Sequence, residues 1–365
     1  MENFAYSNPT SLKEAAGQLS NKWGEVEILA GGTDLISLMK EYLVTPRLLV
    51  NVKNIKEIGG ITPATNSVRI GATVTLDDMA ESAVIKKSLP SLHEAALGVS
   101  SPQIRNMGTI GGDLCQRPRC WYFRQGFGLL AKDASGKALV PNGENKYHAI
   151  LGNGGPAYFV SASSMGPALV ALNATIRLVS SSGQRDVPAE KFFVTPTAEG
   201  AREIAMLPNE VLAEIHVPLG TANATCEIRQ KEALDWPLAA ASVSLKMSGK
   251  TIQSARVVLG HVAPTPWVAE AAGKSLAGKT LSASVAEEAG KLATEGARIR
   301  RCAVHRHGRN TPARVVHSAR CPESRCAVCP RQRRQHYASR RDASRAPRSD
   351  ACRRHDFRLP RLWTQ

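Results

Sequence analysis

Two glycine pairs are the residues of this 365-residue chain whose type and spacing invite chemistry. Gly31-Gly32 sits in "ILAGGTDLISLMKEYL" (Ile28 to Leu43), and Gly111-Gly112 in "IRNMGTIGGDLCQRPRCWYF". The first follows a strand-like apolar run and precedes a helix-like one. Glycine lets a backbone come close to a ligand, and N–H groups at a following helix start offer hydrogen bonds and partial positive charge to a phosphate. Glycines placed so also serve simply to turn the chain, and one pair alone leaves both readings open. Neither pair has Lys-Ser/Thr after its last glycine, as a Walker A loop needs, and neither fits G-x-G-x-x-G. No Ser/His/Asp set, paired carboxylates or complete metal site accompanies them. No catalytic residue and no metal ligand is therefore assigned.

The elements that must hold these loops follow from periodicity. Ser11-x-x-Glu14 has the spacing of a capping box, and Leu12, Ala15, Ala16 and Leu19 share one helical face. "EVEILA" (Glu25 to Ala30) reads as a strand entering a core. After the glycine pair, Thr33 or Asp34 caps a helix carrying Leu35, Leu38, Met39 and Leu43. "RLLVNV" (Arg47 to Val52) is a second strand, and "GGITPATNSVRIGATVTL" a hairpin turning near Asn66-Ser67. "TLDDMAES" and "SLPSLHEAA" start further helices. Beyond residue 155, "ALVALNATIRLVSSSGQRDVPAEKFF" gives a helix, a strand and a glycine turn, and "EVLAEIHVPL" another strand. A boundary falls near "GTANAT". From Cys226 the chain supplies two strands with a turn at Ser248-Gly249 and then two helices, a small α+β domain.

Charge divides the chain differently. Residues 1–298 hold 29 Lys+Arg against 27 Asp+Glu, whereas 299–365 hold 18 against 4, so nearly all of the +16 excess lies in the tail. The main body therefore lacks the basic footprint of a nucleic-acid binder. The tail has 18 Arg and no Lys, five of the eight Cys and five of the nine His, and no helix or strand period. Cys326-x-x-Cys329 suggests a zinc module, but no second matched pair follows it. An arginine-rich nucleic-acid arm would mix Lys with Arg. The lysine-free composition favours out-of-frame translation of a GC-rich gene, which an intact frame shared by independent isolates would refute. No run approaches eighteen apolar residues, so no membrane span is expected. The start lacks a basic region followed by an apolar one, so no secretory signal is expected and the cytoplasm is the default compartment.

Taken together, the segments say more than each alone. "LAGGTDLISLMK", "VRIGATVTLDDMA" and "SSPQIRNMGTIGGDL" follow one another in the order and spacing of the FAD-binding (medium) subunit of the molybdenum hydroxylases, of the xanthine, aldehyde and carbon monoxide dehydrogenase type. "FAYSNPTSLKEAAGQL" and "EIRQKEALDWPLAAASVSL" also resemble that family, so the likeness runs over residues 1–298. It implies an α+β fold: a two-lobed FAD-binding domain of the vanillyl-alcohol-oxidase/PCMH type over 1–222 (lobes about 1–55 and 56–222), then a C-terminal flavoprotein domain over 223–298. It implies that FAD lies between the lobes, its pyrophosphate clamped by backbone N–H groups of Ala30, Gly31, Gly32, Thr33, Asp34 and Leu35 and of Thr109, Ile110, Gly111, Gly112 and Asp113. The Thr33 and Thr109 hydroxyls suit phosphate or ribityl oxygens. Ser164 stands where relatives often present an acidic residue to the flavin, and Lys231 is the candidate basic residue beside it.

Some chains of this family carry a four-iron cluster after the second loop, where "CQRPRCWYFR" offers Cys115 and Cys120. Such a cluster needs four thiolates, and no further Cys occurs before Cys226, so none is expected. Trp121 and Tyr122 read either as a shield for the flavin ring or as an ordinary aromatic pair. The resemblance implies an electron-transfer subunit partnered by a molybdopterin-binding large subunit, a two-iron iron–sulfur small subunit and a final electron acceptor. The rival reading is a stand-alone FAD-dependent oxidoreductase with its own substrate site.

Overall fold

The fold is described from a computed structural model, which covers residues 1–99, 101–231 and 234–297, and the backbone of 299–301 and 316–318. The zinc, arginine-arm and out-of-frame readings of the tail fall on residues outside those described, where only β13 (Ile299–Arg301), pairing antiparallel with β14 (Val316–Ser318), is given.

The first lobe is a three-stranded parallel sheet of β1 (Ala5–Ser7), β2 (Val26–Leu29) and β3 (Leu48–Asn51), in the order β1-β3-β2. Parallel neighbours need a crossover between them. Helix α1 (Leu12–Gly17) supplies the one before β2, and α2 (Leu35–Lys40) the one between β2 and β3. Ser11 Oγ accepts from the Glu14 N–H at 3.2 Å, whereas the Glu14 carboxylate reaches the Thr10 N–H, one residue before the N-cap. The first glycine loop is the link from the C-terminal end of β2 into α2. Val26, Val50, Ala15 and Ala16 form the lobe's core, against Val211 and Ala213 of the second lobe.

The second lobe begins with the hairpin β4 (Ile61–Pro63) and β5 (Ser67–Gly71), then α3 (Leu76–Glu81), α4 (Ala83–Ser88), α5 (Pro90–Gly98), α6 (Pro102–Met107), α7 (Ile110–Cys115) and the short α8 (Trp121–Arg124). A largely irregular segment leads to α9 (Met165–Ala171), β6 (Thr175–Ser180), β7 (Gly183–Pro188), α10 (Ala189–Phe192) and β8 (Val211–Pro218). The five strands form an antiparallel sheet ordered β4-β5-β8-β6-β7. The largest core, including Ile70, Met79, Leu92, Leu169 and Ile215, lies between this sheet and α3, α5 and α9.

The C-terminal domain has four antiparallel strands, not the two read from periodicity: β9 (Ala222–Arg229), β10 (Pro237–Ser248), β11 (Thr251–Gly260) and β12 (Trp267–Val268), ordered β12-β11-β10-β9. The β10–β11 turn is at Gly249, whose φ of +58° is left-handed. Helices α11 (Glu270–Leu276) and α12 (Ala283–Ala293) cover this sheet. Among the described residues no helix is long and apolar enough to cross a membrane.

Candidate functional site

Backbone bonds hang the second glycine loop on the chain that leaves β5. Leu76 N–H donates to Gly108 O at 3.0 Å, Ile110 N–H to Val74 O at 2.9 Å and Gly111 N–H to Ala72 O at 2.9 Å. The first loop is pressed against this seam. A Cβ on Gly31 would stand 2.0 Å from Met107 O and 2.9 Å from Gly108 Cα, so only glycine lets the two backbones meet. A cleft of about 1540 Å³, its open mouth included, runs along the junction. Ala30, Gly31, Gly32, Thr33, Asp34 and Leu35 line it from one side, and Thr109, Gly111, Gly112 and Asp113 from the other. Ile110 is fully buried in the second lobe's core and does not line it.

The two loops differ in what they offer a ligand. Among the described residues, no chain group accepts from the N–H groups of Gly31, Gly32, Thr33, Asp34 or Leu35. The second loop's donors are engaged inside the fold: besides Ile110 and Gly111, Gly112 N–H donates to Thr109 Oγ1 at 3.1 Å and Asp113 N–H to Thr109 O at 2.8 Å. A phosphate wants several convergent donors, and the first loop has them free. The residues present thus fit FAD through the first loop, with the second as the wall that shapes it.

Several candidate side chains have other partners. Asp34 takes the N-cap position of α2 yet makes no capping bond. Its carboxylate instead accepts from Arg117 N–H at 2.8 Å and Arg124 Nη2 at 2.9 Å, with Arg119 Nη1 at 3.3 Å. Asp34 therefore pins the segment after the second loop to the first. Asp34→Ala would leave these cations without their shared anion and lower stability by about 3 kcal/mol, read by urea denaturation; an unchanged midpoint would show the network to be idle. Asp113 is buried, and its carboxylate accepts from Ser163 Oγ and from Met165 N–H at 3.0 Å at the start of α9. Burial pushes its carboxyl above the usual value.

Ser164 is 3% exposed and does not line the cleft; it lies near the Glu227 carboxylate and favours that group's charged form. Lys231 is exposed and off the cleft as well, its N–H held by Asp235 at 2.9 Å. The enclosed basic residue of this stretch is Arg229, paired with Glu227 and donating to Gly98 O. Trp121 and Tyr122 pack around His148 rather than the cleft, with centroids 5.2 and 5.8 Å from its ring. Cys120 Sγ lies 3.1 Å from His148 Nε2, and burial lowers that imidazole to about 4. Cys115 lines the cleft, its thiol pushed up to about 12 by burial. No group of three or more His, Cys, Asp or Glu that could hold a metal occurs among the described residues.

Sequence reading missed two further pairs that line the cleft. Arg119 Cζ lies 4.1 Å from the Trp236 ring, and Arg202 Cζ 4.2 Å from that of Trp23. The signal was present in part: Arg117, Arg119 and Arg124 crowd the ten residues after the second loop, where an anionic ligand or acidic partner was to be expected.

Comparison with known proteins agrees with this geometry. Residues 2–220 match the family described as the FAD binding domain in molybdopterin dehydrogenase, and residues 224–308 the CO dehydrogenase flavoprotein C-terminal domain. The chain is 30% identical over 293 residues to the carbon monoxide dehydrogenase medium chain of Hydrogenophaga pseudoflava, covering 80% of this chain and 85% of that one. It is 29% identical over 280 residues to the aldehyde oxidoreductase FAD-binding subunit of Escherichia coli K12, covering 76% and 86%. Among solved structures, quinoline 2-oxidoreductase from Pseudomonas putida 86 superposes with a TM-score of 0.62 at 26% identity, over 81% of this chain and 87% of that one.

Proposed function

Because this chain belongs to the FAD-binding subunits of the molybdenum hydroxylases, with FAD as its cofactor and an oxidoreductase complex as its setting, we propose that it is the electron outlet of that complex. In this reading electrons leave a molybdopterin-binding large subunit, cross two-iron clusters on a small subunit, and reach a final acceptor through this chain. The setting is the cytoplasm. The observation that carries the reading is the row of five N–H groups, Gly31 to Leu35, that have no acceptor among the described residues and belong to residues lining a cleft shared by both lobes.

Bound FAD supplies a centre that takes up two electrons and releases them singly or as a hydride. The chain's own residues bind and orient it. The first loop's N–H groups would hold the pyrophosphate. Arg119, fixed between Asp34 and the Trp236 ring, places a cation beside them without swinging freely. Thr109 uses its hydroxyl oxygen to hold Gly112, which keeps the second loop's surface bare and close. The Cys115 thiol stays protonated at neutral pH, so no thiolate competes in the cleft.

A pull-down of the full chain from its native host, with flavin, iron and molybdenum analysis, tests the reading. The expected result is a complex holding all three, with a molybdopterin chain and a two-iron chain alongside. A flavin-loaded chain that purifies alone and oxidises a substrate unaided would overturn it in favour of a stand-alone oxidoreductase.

A further inference from the structure

Gln116 and Arg119 join the two glycine loops through side chains. Gln116 Nε2 donates to Asp113 Oδ1 of the second loop at 2.8 Å, and Gln116 Oε1 accepts from Arg119 Nη2 at 2.9 Å. Arg119 Nη1 in turn lies 3.3 Å from Asp34 Oδ1 of the first loop. All four residues line the cleft. The weak link is the last one. A single Asp34 carboxylate serves two guanidinium groups, and Arg124 holds it more closely, at 2.9 Å. Burial and the neighbouring Arg124 both act against the Arg119 charge. A long side chain so placed gains by swinging its charged head into water unless something covers it.

Trp236 supplies the cover. It stands in the connection from β9 to β10, and its ring lies 4.1 Å from Arg119 Cζ. Asp235 steadies the approach, since its carboxylate accepts from Lys231 N–H at 2.9 Å and from Trp236 N–H at 3.0 Å. A ring face attracts a cation without using any of its N–H donors, so the indole holds the guanidinium and leaves its fork to an anion. Among the described residues, Trp236 is also the only one of the C-terminal domain that lines the cleft. We propose that Trp236 is a positioning residue through which the C-terminal domain sets the affinity for FAD, by fixing Arg119 and with it the brace between the two loops. The proposal rests on the function proposed above only in placing the pyrophosphate at the first loop. Its gain is preorganisation: a guanidinium already ordered need not be ordered by the ligand.

The test is a double-mutant cycle on the full chain, with the flavin removed, FAD titrated back by its fluorescence, and ADP used as competitor. Arg119→Met keeps the apolar stem, removes the charge, and should weaken FAD by about tenfold. Trp236→Ala should weaken FAD by about fivefold, the size of a partly exposed cation–π contact, and ADP by the same factor because it carries the same diphosphate. Trp236→Phe keeps a ring face and should stay within about twofold of the parent. In the Arg119→Met chain, Trp236→Ala should cost nothing further, because the indole acts only through the guanidinium. An equal loss in both backgrounds would show the indole touching the cofactor or propping the fold by itself, and would overturn the proposal. So would an unchanged affinity in Trp236→Ala. If Arg119→Met itself leaves FAD affinity unchanged, the cation assigned to the pyrophosphate above falls as well, which separates the two failures.

Discussion

Gly31→Ala is expected to yield a chain that folds less stably and comes off the column without flavin. The added methyl would lie 2.0 Å from Met107 O and 2.7 Å from its carbonyl carbon, both backbone atoms that no rotamer change can move. The seam between the lobes must then open by about 1 Å, and overpacking of this kind costs about 1–3 kcal/mol. The same opening disperses the donors of Gly31 to Leu35, whose value lies in their convergence on one phosphate group. FAD affinity should fall by about a hundredfold or more, since small displacements of preorganised donors are costly. The ratio of flavin to protein absorbance, with a thermal melt, checks both effects. Gly17→Ala is the control: it lies at the end of α1 with nothing within 4 Å of the new methyl, so it should keep its flavin. A Gly31→Ala chain as yellow and as stable as the parent would show that the loops do not meet as described.

What was legible in the sequence was whatever neighbouring residues decide among themselves. The β2–loop–α2 unit, the β4–β5 hairpin and the helix α3 begun by "TLDDMAES" each depend on a few consecutive residues, and each occurs where periodicity and turn chemistry put it. β9 was not legible. Its first half, Ala222 to Thr225, is small and polar, as suits an edge strand, and it is made a strand by pairing with β10. The same strand explains the choice of Lys231 over Arg229. Alternation puts Glu227 and Arg229 on one enclosed face, whereas Lys231 comes after the strand has ended.

The site followed the same division. Glycine pairs in register announced a phosphate-bearing cofactor, because the steric need for glycine is written in single residues. The use of those glycines was not: Gly31 answers to Met107, and Gly111 to Ala72, contacts that only the folded chain defines. Asp34 looked like a helix cap by position, but its carboxylate is taken by the Arg117 backbone N–H and the Arg124 guanidinium, 83 and 90 residues away. The guanidinium brings a full positive charge that a local N–H lacks, which favours the distant arrangement. Glu27, read only as part of a strand, becomes a cleft residue once alternation is combined with the second lobe's arginines.

Acid should loosen this protein at two buried histidines before its carboxylates titrate fully. His148, in the segment after α8, and His261, just past β11, are both held neutral by burial, with values lowered to about 4 from 6.5. His148 faces Cys120, Trp121 and Tyr122; His261 meets the backbone of Ser161 and, among charged groups, the repelling Arg229. A folded-state value below the unfolded one means that the unfolded chain binds more protons in between. The stability is complete above pH 6.5 and is lost as pH falls toward 4, by about 2–3 kcal/mol per histidine at pH 4.5. The raised carboxyls of Asp113, Glu27 and Glu227 act in the opposite sense, since they take up protons more readily in the folded chain. The measurement must therefore be a difference between variants. His148→Gln and His261→Asn remove the titrations, and asparagine tolerates the left-handed φ of +60° at 261. Urea denaturation at pH 7.0 and 4.5 should show each variant losing less stability than the parent across that interval; the double variant reads any coupling, because the N–H groups of Ile150 and Leu151 both bond Val262 O, next to His261. Equal losses in parent and variants would mean that these imidazoles are already hydrated and free to take up a proton in the folded state.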